Sequence, residues 1–230
     1  DGAAASTLAS DCSSPVLTSV GTTFRLDYAY SGAATGGSSS VGSVKRLTTF
    51  EGQADVTEVE ADATEESQFA GPPATRQTTN TLSCLRQSAN TTTAYGSVLT
   101  FNTGANQGTA VRTVFSPPFV DERFTLTSGQ RLNVISVATA TTRLPSGQEQ
   151  VNSISETLAV TFIGQETVTV PAGAFRSCRF EVRIGNAARP TLVWCQAGTG
   201  VALKINSAVD ANNTLTAELL ATSRLNGNPL

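Results

Sequence analysis

The chain has 230 residues, a net charge of −3, a pI of about 5.0 and no histidine. That length buries a proper core, while the acidic balance leaves no basic patch for nucleic acid or an anionic membrane. The missing histidine removes Ser-His-Asp and Cys-His catalysis, most zinc sites and haem, and no apolar run is long enough to form a transmembrane segment.

Charged residues make up 14% of the chain, Lys45 and Lys204 are its only lysines, and Thr, Ser, Ala and Gly abound. There is no Met, so the start at Asp1 reads as the product of processing. Four cysteines without a C-x-x-C pair fit two disulfides in an oxidising compartment. Together these features describe an exported protein, extracellular or at the cell surface, with the periplasm as the alternative.

Asp1 to Ser14 is rich in Ala and Ser, lacks periodicity and reads as an N-terminal arm (residues 1–14) before a single all-β domain (residues 15–230). Thr23 to Tyr30 alternates as a strand, with Phe24, Leu26, Tyr28 and Tyr30 on one face and Arg25 and Asp27 on the other. Ser31 to Ser40, SGAATGGSSS, has the composition of a flexible loop. Val44 to Phe50 and Gln53 to Ala63 form a hairpin around Glu51-Gly52, Ala70 to Pro73 is a break, and Thr78 to Arg86 is a strand holding Cys84.

The meander continues through Tyr95 to Phe101, Thr109 to Phe115, Arg123 to Thr127, Gln130 to Thr142 and Gln150 to Ile163. From Glu166 onward, Val168 and Val170 alternate with threonines, Pro171-Ala172-Gly173 supplies a tight turn, and strands Cys178 to Ile184 and Thr191 to Cys195 follow. Thr214 to Leu220 fits either a last strand or a short helix. Strands at this spacing predict an all-β antiparallel meander, forming a β-sandwich or an open half barrel with little helix.

If the last two strands of that run pair about Gly185-Asn186, Phe180 lies opposite Val193 and Cys178 opposite Cys195. That predicts a cross-strand disulfide Cys178–Cys195, and by elimination Cys12–Cys84. The alternative is four buried free thiols.

Two acidic groups are the candidates for chemistry. Asp121-Glu122 would be the carboxylate pair of a hydrolase, but strand neighbours point to opposite faces, so a solvated turn is the plainer reading. Glu58, Glu60 and Asp62 share one strand face and present oxygens to a calcium ion, or mark a charged face that discourages edge pairing. Asn90-Thr91-Thr92 and Asn212-Asn213-Thr214 match the glycosylation sequon. Trp194, between Leu192-Val193 and Cys195, reads as core. No catalytic, metal or cofactor-binding residue is assigned.

The runs ETVTVPAGAF (166–175) and TLVWCQAGTGVALKI (191–205) resemble uncharacterised exported β-domains of Gram-negative envelopes, which carry a V-P-A-G-x-F turn and a downstream Trp-to-Lys strand. Those domains are similar to the half-barrel lipoprotein superfamily, which includes periplasmic lipid carriers. The resemblance implies a strongly curved antiparallel sheet in the envelope and transfers no catalytic residue. Cys195 stands where those proteins often have an aromatic.

The expected function is therefore that of a non-enzymatic exported structural protein. It would be a subunit of a filament or layer, a homo-oligomer held through its N-terminal arm or sheet edges. The alternative is an envelope half barrel that shelters an apolar ligand such as lipid.

Overall fold

The computed structural model describes residues 8–69, 74–210 and 212–230. The break expected at Ala70 to Pro73 and the first seven residues of the arm lie outside them. Among the described residues fourteen strands are formed: β1 (Thr23–Gly32), β2 (Ala34–Phe50), β3 (Gln53–Phe69), β4 (Thr75–Ser88), β5 (Thr91–Phe101), β6 (Ala110–Asp121) and β7 (Arg131–Arg143). They continue as β8 (Glu149–Val170), β9 (Gly173–Ile184), β10 (Thr191–Gln196), β11 (Ala202–Ala208), β12 (Thr214–Leu219), β13 (Arg224–Leu225) and β14 (Asn228–Pro229). Each strand from β1 to β11 pairs antiparallel with the next in sequence.

The sheet closes. β1 pairs with β12 through Tyr28↔Leu219 to Gly32↔Leu215, and the rest of that edge is taken by β13 through Phe24↔Leu225 and Arg25↔Arg224. The result is a closed 12-stranded antiparallel barrel, which corrects the expected sandwich or open half barrel. Closure needs curvature, and register shifts supply it: β2–β3 near Lys45, β8–β9 near Ile163 and β10–β11 at Trp194/Cys195 each carry one. A bulge bends a strand and increases its twist, and single-sequence alternation does not reveal where one falls.

β7 shows which face is inside. Arg131, Asn133, Ile135 and Val137 are exposed, whereas Ala138 and Ala140 are buried and Leu132 packs into the core. The register carries that inner face through Leu132↔Val160, Phe162↔Phe180 and Phe180↔Val193. Phe162 and Phe180 are fully buried, with ring centroids 5.3 Å apart, and Phe124 meets Phe180 edge-on at 5.6 Å. A second inner cluster, Val170, Val201, Leu203 and Leu219, packs with Leu26 and Tyr28 of β1.

The arm is part of this core. Ala9–Cys12 forms a 3-10 turn, Ala9 N–H donates to the Leu126 carbonyl at 3.0 Å, and Ala9 and Cys12 are fully buried. Cys12 is disulfide-bonded to Cys178, with Cα atoms 6.0 Å apart, and Cys84 and Cys195 are buried free thiols. This corrects both expected disulfides, Cys178–Cys195 and Cys12–Cys84. The expected register is present, Cys178 opposite Cys195 and Phe180 opposite Val193. Neighbouring side chains on one face stand side by side, whereas the turn descends onto that face and meets the Cys178 sulfur. A thiol has room for one partner.

Two local expectations also change, and one open alternative closes. The SGAATGGSSS stretch belongs mostly to β2, hydrogen-bonded between β1 and β3. Its glycines serve close approach: a Cβ on Gly36 would strike the Glu66 carbonyl oxygen, and one on Gly37 the Tyr28 carbonyl oxygen. Arg123 to Thr127 is a 3-10 turn at Arg123–Thr125, not a strand. Thr214 to Leu219 is a strand, and the helix alternative falls away.

Candidate functional site

The outer face of β1–β3 carries a groove. Four cross-strand rows build it: Thr23–Ser43–Glu60, Arg25–Val41–Asp62, Asp27–Ser39–Thr64 and Ala29–Gly37–Glu66. The middle strand contributes Gly37, Ser39 and Ser43, which are small, so the floor is low except where the half-exposed Val41 stands up from it. The acidic residues of β3 form one wall. The chain after β12 forms the other, since Leu220 N–H donates to the Asp27 carbonyl at 2.8 Å and Arg224 pairs with Arg25. Two concavities of about 370 and 470 Å³ lie along it and share Arg25.

Asp27 lies in the floor and is 5% exposed. Its Oδ2 accepts from Arg25 Nε at 2.8 Å, and its backbone N–H donates to Ser223 Oγ at 3.0 Å. Its Oδ1 is buried and without a hydrogen-bond partner. Burial pushes this carboxyl up, but the nearby Ser39 and Thr222 hydroxyls and the Arg25 guanidinium outweigh it and hold the pKa below the ordinary aspartate value. Ser39 and Thr222 thus stand beside the carboxyl while neither completes Oδ1 at hydrogen-bond geometry.

The acidic row lies on the wall of this groove, and its carboxylates are partnered. Lys45 Nζ is 2.9 Å from Glu60, Arg46 Nε is 3.5 Å from Glu58, and Asn80 Nδ2 donates to Glu60 at 3.2 Å and Asp62 at 2.9 Å. The Lys45 and Asn80 hydrogen bonds hold the Glu60 carboxyl below its usual value. Among the described residues no group of three or more His, Cys, Asp and Glu is disposed to hold a metal ion.

The other singled-out residues lie elsewhere. Asp121 clamps Arg123, at 2.7 and 3.0 Å to Nε and 3.0 Å to its backbone N–H, whereas Glu122 is exposed. The structure does not bring the two carboxylates to a common task. Trp194 is 8% exposed but lies under cations: Arg179 stands 5.3 Å and Lys204 5.9 Å from its ring, and its indole N–H donates to Glu166. Cys195, opposite the disulfide, has its thiol pushed up to about 11 by burial. Asn90 is half-buried beside the β4–β5 turn and Asn212 is exposed.

The groove was half visible in the sequence. The alternation that puts Arg25 and Asp27 opposite Phe24, Leu26 and Tyr28 marks its floor, but its low middle strand reads as a loop.

Fold and groove together define an all-antiparallel closed β-barrel with a charged cleft on its outer face. No family model matches the chain, and no curated protein sequence matches it. Among solved structures it is similar to a β-barrel-like protein of the domain of unknown function DUF1849 from Brucella abortus. That match has a TM-score of 0.50 and 7% identity, and covers 91% of this chain and 98% of that one. A "putative lipoprotein" of Parabacteroides distasonis matches at a TM-score of 0.36 and 13% identity, over 96% of this chain and 100% of its own. The first likeness is one of fold alone.

Proposed function

We propose that this chain is an exported, non-enzymatic β-barrel domain of the bacterial envelope that acts by binding. The observation that carries the reading is the Cys12–Cys178 disulfide, which stitches the N-terminal segment across 166 residues into the core. Such a bond persists in an oxidising compartment. The described part of the arm is committed to its own barrel, and closure consumes the long edges of β1 and β12. Strand donation or edge pairing therefore has little to work with. The inner face beside the arm is filled by Phe124, Leu126, Phe162 and Phe180, which leaves the outer groove as the working concavity. Catalysis finds no support in the sequence, which lacks histidine, nor in Asp121, which is held by Arg123.

The test is to recover the protein from cells and count thiols after denaturation. Export predicts two reactive thiols without reductant and four with it, in the envelope fraction. Four reactive thiols in a cytosolic fraction would overturn the reading.

A second reading, self-association into a larger assembly, is favoured by one observation. Ile135, Val137 and Val151 share the outer face of β7–β8 at 67%, 38% and 66% exposure.

A further inference from the structure

We propose that the outer groove of β1–β3 is a subsite for a neutral oligosaccharide, read out by Asp27, Ser39, Thr222 and Arg25. The inference rests on the binding role proposed above and names its ligand class.

The Asp27 carboxylate is unfinished. Asp27 is in register with Ser39 and Thr64, so its side chain points to the groove side of the sheet. It is 95% buried, and Oδ1 has no partner. A buried polar atom left unpaired is costly, and a donor that enters from the groove as the adjoining Ser39 or Thr222 side chain turns aside removes that cost.

Cations and anions are interleaved along the cleft: Arg25 with Asp27 at 2.8 Å, Lys45 with Glu60 at 2.9 Å, and Arg224 beside Arg25. A phosphate would meet Asp62 and Glu66, and an ammonium would meet Arg25 and Lys45. The interleaving provides no single-sign field to select an ion. A sugar hydroxyl both donates and accepts, so it suits a row that alternates carboxylate, hydroxyl and guanidinium.

Two concavities of about 370 and 470 Å³ adjoin at Arg25, each within the range of about 300–1,000 Å³ typical of small-molecule sites. Their arrangement suits a chain of linked units more than one compact ligand. Val41 lines the larger one, half exposed in the same row as Arg25 and Asp62, and gives an apolar surface for a sugar ring.

The experiment is calorimetric titration of the oxidised full chain with cellotriose and with an N-acetylglucosamine trimer, alongside spermidine and inorganic phosphate. The expected result is saturable binding of at least one neutral trisaccharide, weakened tenfold or more by Asp27→Asn and by Ser39→Val, and unchanged by Ile135→Lys on the far face. Ser39→Val keeps the proposal falsifiable if Asp27→Asn does not fold. Binding of spermidine or phosphate in place of both sugars would overturn the ligand class while leaving the groove a binding site. Sugar binding indifferent to both groove variants, or no binding of any probe, would overturn the subsite. The thiol count and cell fraction report separately on export, so failure here is distinguishable from failure of the broader reading.

Discussion

Cys178 and Cys195 lie directly opposite one another on β9 and β10, yet Cys178 is bonded to Cys12 and Cys195 remains a buried thiol. That relationship ties the first turn of the chain to its last third and makes the arm a component of the core. On the chain-entropy model, closing a loop across 166 residues stabilises by about 5 kcal/mol.

Cys12→Ser should therefore lower stability by about 2–5 kcal/mol, with the midpoint of urea denaturation as the readout. Cys84→Ser, which breaks no disulfide, should cost less. Equal losses from the two substitutions would contradict the clamp.

The remaining thiols should be inert in the folded protein. Burial raises Cys195 to about 11 and also raises Cys84, with the nearby Glu58 carboxylate adding to the latter. Both are neutral at pH 8 and enclosed. Ellman's reagent should titrate neither at that pH and should find two thiols once the chain is unfolded in urea without reductant.

Asp27 sets a pH dependence. Its folded pKa lies below the unfolded value of about 3.9. Its stabilisation is therefore full above the unfolded pKa and lost as pH falls through the folded one. Asp27→Asn should flatten the acid limb of the stability profile below about pH 4, relative to wild type. Denaturation midpoints from pH 2 to 7 measure it, and an unchanged acid limb would contradict the assignment.

The glycines of β2 separate close approach from flexibility. Gly36→Ala forces a Cβ into the Glu66 carbonyl at a φ of +115° and should cost about 3 kcal/mol. Gly52→Ala, at +77° in the β2–β3 turn with nothing within 4 Å, should cost about 1 kcal/mol. Thermal denaturation of the pair decides whether SGAATGGSSS is a strand or a loop.

The fold was legible where alternation was strong. β1, β7 and the β9–β10 register follow from their sequences, because side chains of period two with one apolar face have one way to lie on a core. Closure was not legible, because it depends on bulges such as those near Lys45 and Ile163 and on the pairing of β1 with β12, from Gly32↔Leu215 to Tyr28↔Leu219, a span of about 180 to 190 positions on which local pattern is silent. The Gly-Ser run misled for a physical reason: the same small residues that loosen an isolated chain allow neighbouring backbones to approach. The groove stayed hidden with it, since Arg25, Asp27 and Ser39 become a site only when β2 lies between β1 and β3.

The most direct measurement is peptide mapping of the non-reduced protein by mass spectrometry. The closed barrel with its N-terminal clamp predicts one linked pair joining the peptides of Cys12 and Cys178, with Cys84 and Cys195 both alkylated as free thiols. A Cys178–Cys195 or Cys12–Cys84 linkage would contradict it.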